Sequence, residues 1–332
     1  MLPQPCARVC VAFDTVVADT VAIREPMTEL APWMKRDWLL RAEAQIDVAL
    51  EAVGRTRTGP STVVNSWARA CVLTVPVAGS TIWIKYGYRL PPGEEKVLNV
   101  LAPRWATRIP TIVTTWDGAV AMEPLPGVEL AESDPLEHWL AAARCLGELA
   151  AGESAHIDEW LALGVRDRRP AVWREHVESL VQSPVIRDMD AEVRQALDSF
   201  LPDFVSRYMD SFAAPATLVH QDSGCCNIHI AADGPVVFDW ADVVVGHATF
   251  SCDRFLDQVP LEQQPAIVDA FLEPLDFDVA EFKAMRRSNV LHEVLRYHDE
   301  LAYIEPNDPA HRSLTKSVQS QLQVLLAHEQ KR

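Results

Sequence analysis

An aspartate, an asparagine and a second aspartate lie close together in the segment Thr217-Leu218-Val219-His220-Gln221-Asp222-Ser223-Gly224-Cys225-Cys226-Asn227-Ile228-His229-Ile230, which continues to Val236-Val237-Phe238-Asp239-Trp240-Ala241-Asp242. An apolar strand start runs into a polar loop and then into a hairpin whose turn is marked by Asp233-Gly234. Asn227 and Asp239 stand six residues either side of Asp233, so antiparallel pairing brings an amide and a carboxylate to one end of the hairpin. Such an oxygen pair suits a hard cation, magnesium above all, which takes few protein oxygens and completes its shell with water and nucleotide phosphates. Asp222, on the loop entering the hairpin, is placed to accept a hydrogen bond from an attacking hydroxyl. Orienting a nucleophile and neutralising charge are the two functions that phosphoryl transfer needs most.

These residues resemble the aminoglycoside phosphotransferase and choline kinase-like family, a relative of the protein kinases. Its hallmark reads H-G-D-x-x-x-x-N, followed by a hydrophobic-I-D-[WF]-x-[DE] run. The chain has His220-Gln221-Asp222, Asn227 and Phe238-Asp239-Trp240-Ala241-Asp242. The resemblance implies a catalytic base at Asp222, magnesium ligands at Asn227 and Asp239, ATP or GTP as donor, and a small-molecule hydroxyl as acceptor. Gln221 replaces the usual glycine, and Cys225-Cys226 replaces the common proline-glycine, which bears on the loop's conformation rather than on its chemistry. His220 is expected to hydrogen-bond the loop backbone. Asp242 is expected either to assist the metal site or to cap the following segment.

A second group belongs to the nucleotide. In Thr81-Ile82-Trp83-Ile84-Lys85, strand alternation puts Thr81, Trp83 and Lys85 on one face and Ile82 with Ile84 on the other. A lysine ending such a strand is what kinases use to hold phosphates, paired with a glutamate from the next helix. Glu94 is the expected partner and Glu95 the fallback. Val64-Asn65-Ser66-Trp67-Ala68-Arg69 stands where a protein kinase carries a glycine-rich loop, and Ser66 is the candidate phosphate contact there. Ala121-Met122-Glu123-Pro124-Leu125-Pro126-Gly127 resembles the family's adenine hinge. Pro124 has no N–H, so the Glu123 carbonyl is the expected acceptor and the Leu125 N–H the donor.

The elements that must position these groups follow from periodicity. A helix is expected from Trp33 to Val53, with Trp38, Leu39, Ala42, Ile46, Ala49 and Leu50 on its apolar stripe. Short β-branched and aromatic runs follow at Cys71–Val77, Thr81–Lys85, Thr111–Thr115 and Ala119–Met122, with a helical segment at Glu94–Leu101. After Pro124 the pattern turns helical, with stripes at Trp139, Ala142, Leu146 and Leu149 and at Leu314, Val318, Leu322 and Leu325. The expected fold is therefore α+β, two-lobed and protein-kinase-like: residues 28–123 form an antiparallel nucleotide-binding lobe with one inserted helix, and residues 124–332 form a larger, mainly helical catalytic and acceptor-binding lobe. Residues 1–27 are read as an extension.

Composition agrees. At 332 residues the chain is long enough for two cores. Thirty basic against forty-seven acidic side chains give a formal charge of −17, which opposes nucleic acid and anionic lipid. Seven cysteines without zinc or disulfide-scaffold spacing suit a reducing cytoplasm. Val9–Ile23, broken by Asp14 and Asp19, makes a poor signal peptide and cannot span a bilayer. Asp253, Asp257, Glu293, Asp299, Glu300 and Glu305 lie beyond the motif and could hold the amines of a cationic acceptor such as an aminoglycoside, another antibiotic or a choline-like alcohol. Trp160, Trp173, Tyr297 and Tyr303 could add cation–π contacts, although aromatics at helical spacing more often form core. A kinase of an ordinary metabolite, a choline-like amino alcohol or a sugar, is one alternative and a nucleotide-binding pseudokinase scaffold the other; retention of every charged motif position favours a kinase over the scaffold.

Overall fold

The computed structural model describes residues 31–87 and 91–329. The expectations for residues 1–27, including Val9–Ile23, lie outside the described residues. Helix α1 (Trp38–Glu51) buries Trp38, Ala42, Ile46 and Leu50, an i, i+4 stripe. The stripe is narrower than the sequence suggested, since Leu39 faces solvent. It covers one face of a five-stranded antiparallel sheet built from β1 (Thr62–Ser66), β2 (Ala70–Val77), β3 (Ser80–Gly87), β4 (Ile112–Trp116) and β5 (Ala119–Met122), in the order β1-β2-β3-β5-β4. Leu73, Val75, Ile82, Ile84 and Ala121 meet the helix in this core. The alternation expected for β3 is observed: Ile82 and Ile84 are buried and Trp83 is exposed. Helix α2 (Glu94–Trp105) is inserted between β3 and β4 and packs Val97, Leu98 and Leu101 into the core of the second lobe.

The linker after β5 is tied to the second lobe at once. The short strand β6 (Val128–Glu129) pairs with a later strand, β9 (Ile228–Ala231), and Gly127 before it has φ +72. A Cβ there would lie 2.0 Å from the Ile230 carbonyl oxygen, so only glycine lets the chain run this close to β9. Helices α3 (Leu136–Glu153) and α4 (Ile157–Leu163), strand β7 (Arg166–Asp167), and helices α5 (Pro170–Gln182), α6 (Pro184–Arg187) and α7 (Ala191–Ser211) follow. The α3 stripe of Trp139, Ala142, Leu146 and Leu149 is buried as its spacing predicts.

Strands β8 (Thr217–His220), β9 (Ile228–Ala231), β10 (Gly234–Val237) and β11 (Val243–Gly246) carry the motif. They form two three-stranded sheets, β10-β9-β6 and β7-β11-β8, set into the otherwise helical lobe. Helices α8 (Asp253–Leu256), α9 (Gln264–Leu272), α10 (Val279–Arg286), α11 (Asn289–Leu301) and α12 (Pro309–Glu329) complete it. A second core in this lobe joins Trp173, Tyr208, Phe250, Leu295 and Val318. No helix among the described residues is long and apolar enough to cross a membrane.

Candidate active site

The site is assembled from both lobes. β2 and β5 flank β3, and Lys85 sits opposite Val72 and Val120 on these neighbours. Its Nζ lies 2.6 Å from Glu94 Oε2, at the start of α2, and 2.6 Å from Asp239 Oδ1, just past β10. Burial alone would lower the pKa of the Lys85 ammonium, but Asp239 and Glu94 outweigh it and hold the group protonated well into the alkaline range. Glu94, the expected partner, also accepts a hydrogen bond from the Trp240 N–H at 2.9 Å. One carboxylate thus joins strand β3 of the first lobe to the turn after the hairpin. Glu95 is buried next to Gly93 and makes no ion pair with Lys85 among the described residues.

The hairpin differs from its sequence reading by one residue. Ala231 pairs with Gly234, so the turn is centred on Ala232-Asp233 rather than on Asp233, and Ile228 pairs with Val237. The ladder continues with Phe238 N–H donating to the Asn227 carbonyl at 3.0 Å. Asp239 therefore lies one residue beyond the partner of Asn227. There the backbone turns left-handed, φ +64, one of two non-glycine residues among those described with positive φ. Aspartate tolerates this conformation better than most residues, and strain of this kind is commonly retained where a side chain must be aimed. The Asp239 side chain stays 42% exposed.

Asp222 and Asn227 are brought together by the loop between β8 and β9. Asn227 Nδ2 donates to the Asp222 carbonyl at 2.7 Å and to Asp222 Oδ2 at 3.2 Å. With its nitrogen committed there, the side-chain carbonyl of Asn227 is the atom left to a cation. A carboxylate and an amide carbonyl are hard oxygen donors of the kind magnesium takes, and Asp239 keeps open surface. His220 is bonded away from its own loop: its Nε2 bonds the Phe238 carbonyl at 2.9 Å, at the end of the hairpin, and its backbone N–H donates to Ser251. Burial lowers its pKa even though the charges of Asp222, Asp239 and Asp242 all pull the other way. All three carboxylates thus act electrostatically on one imidazole.

Both departures from the family motif have structural partners. Gln221 is buried and its Nε2 donates to the Asp242 carbonyl at 2.8 Å, stitching the motif loop to the turn that carries Asp239. Cys225 occupies the position of the common proline, and its N–H donates to Gln258 Oε1 at 2.7 Å. A proline has no such donor.

Asp242 neither stands alone nor caps a helix. It is paired with Arg69, lies 3.9 Å from Arg296, and is driven down to about 2 by these guanidiniums against the opposing effect of burial. Arg69 is 1% exposed and also pairs with Glu300 at 2.7 Å, so the β1–β2 loop of the first lobe is fastened to α11 of the second. A cavity of about 20 Å³, lined by Arg69, Gln221, Asp242, Arg296, Glu300 and Tyr303 among others, lies at this junction. Ser66 is not brought to Lys85: it ends β1, exposed, on the rim of a groove that also includes Trp33, Trp38 and Val63.

The linker is anchored at its first residue. The Glu123 N–H donates to Thr111, and the Glu123 carboxylate pairs with Arg55 at 2.7 Å. Among the described residues the Glu123 carbonyl and the Leu125 N–H make no backbone hydrogen bond.

The carboxylates that follow the motif depart most from the sequence reading. Arg254, on α8, pairs with Asp222 Oδ1 at 2.6 Å and is 35% exposed. Asp253 is held by Arg286 and Asn289, and burial nevertheless pushes it up to about 7. Glu293 pairs with Arg296 at 3.0 Å, while Asp299 pairs with Arg166 at 2.6 Å and with Arg168. Glu305 is half-buried just beyond α11. Trp160 and Trp173 are fully buried core, and Tyr297 stacks on Arg296, ring centre 4.5 Å from the guanidinium. Arg69 had a sequence signal, as the only charge between Arg57 and Lys85. Arg254 and Gln258 had none, because their partners are distant in sequence.

A small sheet with a lysine–glutamate pair, a linker with free polar edges and a helical lobe presenting Asp222, Asn227 and Asp239 define a protein-kinase-like small-molecule kinase. Residues 89–309 match the APH model, "Phosphotransferase enzyme family", and the chain belongs to this family of phosphotransferases. A search of curated protein sequences gives no significant match. Solved structures with the same fold include the macrolide 2'-phosphotransferase of Brachybacterium faecium, at 17% identity and TM-score 0.61, covering 83% of this chain and 97% of that one. The APH(2")-IIia enzyme in its GDP and kanamycin complex is similar at 14% identity and TM-score 0.63, with 88% and 99% covered. Choline kinase from Streptococcus pneumoniae is similar at 11% identity and TM-score 0.59, with 86% and 99% covered.

Proposed function

We propose that this phosphotransferase moves the terminal phosphoryl group of ATP or GTP to a hydroxyl of a small molecule, with Asp222 as base. The observation that carries this reading is the convergence of Lys85, Glu94 and Asp239 from three separate elements, beside the bonded pair Asp222–Asn227. Residues 28–123 form the nucleotide lobe and residues 124–332 the acceptor lobe. The Glu123 carbonyl and Leu125 N–H take the base, and Lys85, held in place by Glu94, takes the phosphates. Magnesium, when bound with the nucleotide at Asn227 and Asp239, neutralises phosphate charge. Asp222 orients the acceptor hydroxyl and accepts its proton at a carboxylate oxygen as the new oxygen–phosphorus bond forms and the bond from the terminal phosphorus to the departing nucleoside diphosphate breaks. Asn227 fixes that carboxylate through Nδ2, and His220 and Gln221 fix the loop that carries it. Arg254 must yield part of its hold on Oδ1 to the incoming hydroxyl. The neighbours that act on antibiotics and choline give the acceptor classes to be compared first. A cytoplasmic setting, where nucleoside triphosphates are abundant, suits the buried free thiols Cys71, Cys145 and Cys252.

The test is nucleotide-induced stabilisation. ATP or GTP with magnesium at a hundred times its Kd is expected to stabilise the fold by about 2.7 kcal/mol. The Lys85→Met variant is expected to lose most of this at the same nucleotide concentration. No shift with either nucleotide would contradict the reading.

A further inference from the structure

The sequence suggested that carboxylates beyond the motif could hold the amines of a cationic acceptor. The structure gives them other work. Asp222 faces the Arg254 guanidinium, Glu293 faces Arg296, Glu300 faces Arg69 and Arg296, and Asp299 faces Arg166 and Arg168. Even Asp257, 68% exposed, lies 3.3 Å from Arg286. An ammonium group entering here would have to displace a guanidinium already in place. Where Glu300 and Arg296 are almost wholly enclosed, that means breaking a desolvated pair, and a desolvated pair broken from one side is strongly unfavourable.

The guanidinium nearest the reacting centre is also the most open. Arg254 sits 2.6 Å from the carboxylate that would receive the hydroxyl, with about a third of its side chain toward solvent. Electrostatic selection works by repulsion as much as by attraction. A polyamine reaching for Asp222 would bring its positive charges against Arg254 before finding any unpaired carboxylate. An anion meets the opposite difficulty, because Arg254, Arg296 and Arg69 are already engaged by Asp222, Glu293, Asp242 and Glu300, and the chain as a whole carries a formal charge of −17. A site whose charges are closed on one another favours a partner that brings none.

We infer that the acceptor presents an uncharged, hydroxyl-bearing face to Asp222, and not the amine-bearing face of an aminoglycoside or of choline. This rests on the phosphotransfer reading and specifies its acceptor class. The experiment uses the full chain with magnesium and a non-hydrolysable ATP analogue, and measures binding of kanamycin, choline and gluconate by calorimetry. Wild type is expected to bind none of the three. Arg254→Gln removes the guanidinium and leaves Asp222 open, and is expected to gain at least about tenfold in kanamycin affinity, equivalent to about 1.4 kcal/mol. Arg254→Lys, which keeps the charge, is expected to show no gain. Kanamycin or choline binding to wild type overturns the inference, as does gluconate binding that depends on Arg254. Absence of any gain in Arg254→Gln overturns it too, because the guanidinium is then not what excludes the cation. Magnesium-dependent ATP consumption by the same wild-type preparation, compared with Asp222→Asn, separates failure of this inference from failure of the phosphotransfer reading.

Discussion

Replacing Arg69 with methionine removes the one side chain that fastens the β1–β2 loop to the far lobe by a buried charge. Arg69 is 1% exposed and pairs with Asp242 and, at 2.7 Å, with Glu300. In the variant these carboxylates are left to Arg296, which stands 3.9 Å from Asp242 and 3.5 Å from Glu300. Breaking a buried pair from one side costs about 3–5 kcal/mol, and the remaining guanidinium offsets part of this, so a loss of about 3 kcal/mol is expected. Urea unfolding followed by tryptophan fluorescence measures it. Adding Glu300→Gln to Arg69→Met should recover about 1 kcal/mol or more, because a neutral amide needs no counter-charge. A loss below about 0.5 kcal/mol, the scale of ordinary surface changes, would refute the reasoning. So would a double variant whose losses simply add.

Acid sensitivity follows from Asp242. Its folded pKa is depressed to about 2 from an ordinary 3.8, so its contribution is fully present above about pH 4 and is lost as pH falls toward 2. At 1.36 kcal/mol per unit this amounts to about 2 kcal/mol, and Asp242→Asn should flatten the stability profile over that window in acid-titrated urea melts. Cys225→Pro restores the common family residue but removes the N–H that donates to Gln258, and a loss of about 1 kcal/mol in thermal unfolding is expected. Gln221→Gly deletes the bond to the Asp242 carbonyl and leaves a buried gap, so it should destabilise the fold by about 1–3 kcal/mol while phosphotransfer persists.

Much of the fold was legible because it rests on local signals. The buried alternation in β3, the α3 stripe and the β5 boundaries follow from period and turn residues alone. Lys85 with Glu94 and Asn227 with Asp239 were legible as two separate pairs, whereas the contact that joins them, Lys85 to Asp239, spans 154 residues and had no sequence signal. The hairpin register was read one residue off, since Asp-Gly is a strong turn signal and the backbone instead places Asp233 second in the turn, with Gly234 already in the strand at φ +112. What sequence could not supply was pairing across the fold. A row of carboxylates after the motif looks like a cation site until Arg69, Arg166, Arg168, Arg286 and Arg296 are found against it. Nothing in the local pattern of Arg254 shows that its partner is Asp222.

The central claim is that Asp222 is the group that activates the acceptor hydroxyl. Its most direct test is magnesium-dependent phosphotransfer by Asp222→Asn against wild type, with nucleotide binding measured in parallel. Asparagine keeps the size of the side chain and a hydrogen bond but cannot take up the proton, so the rate is expected to fall by about 10²–10⁴-fold. Nucleotide affinity should stay within about threefold, because Lys85, Glu94 and Asp239 are untouched. Turnover at the wild-type rate in Asp222→Asn would contradict the account.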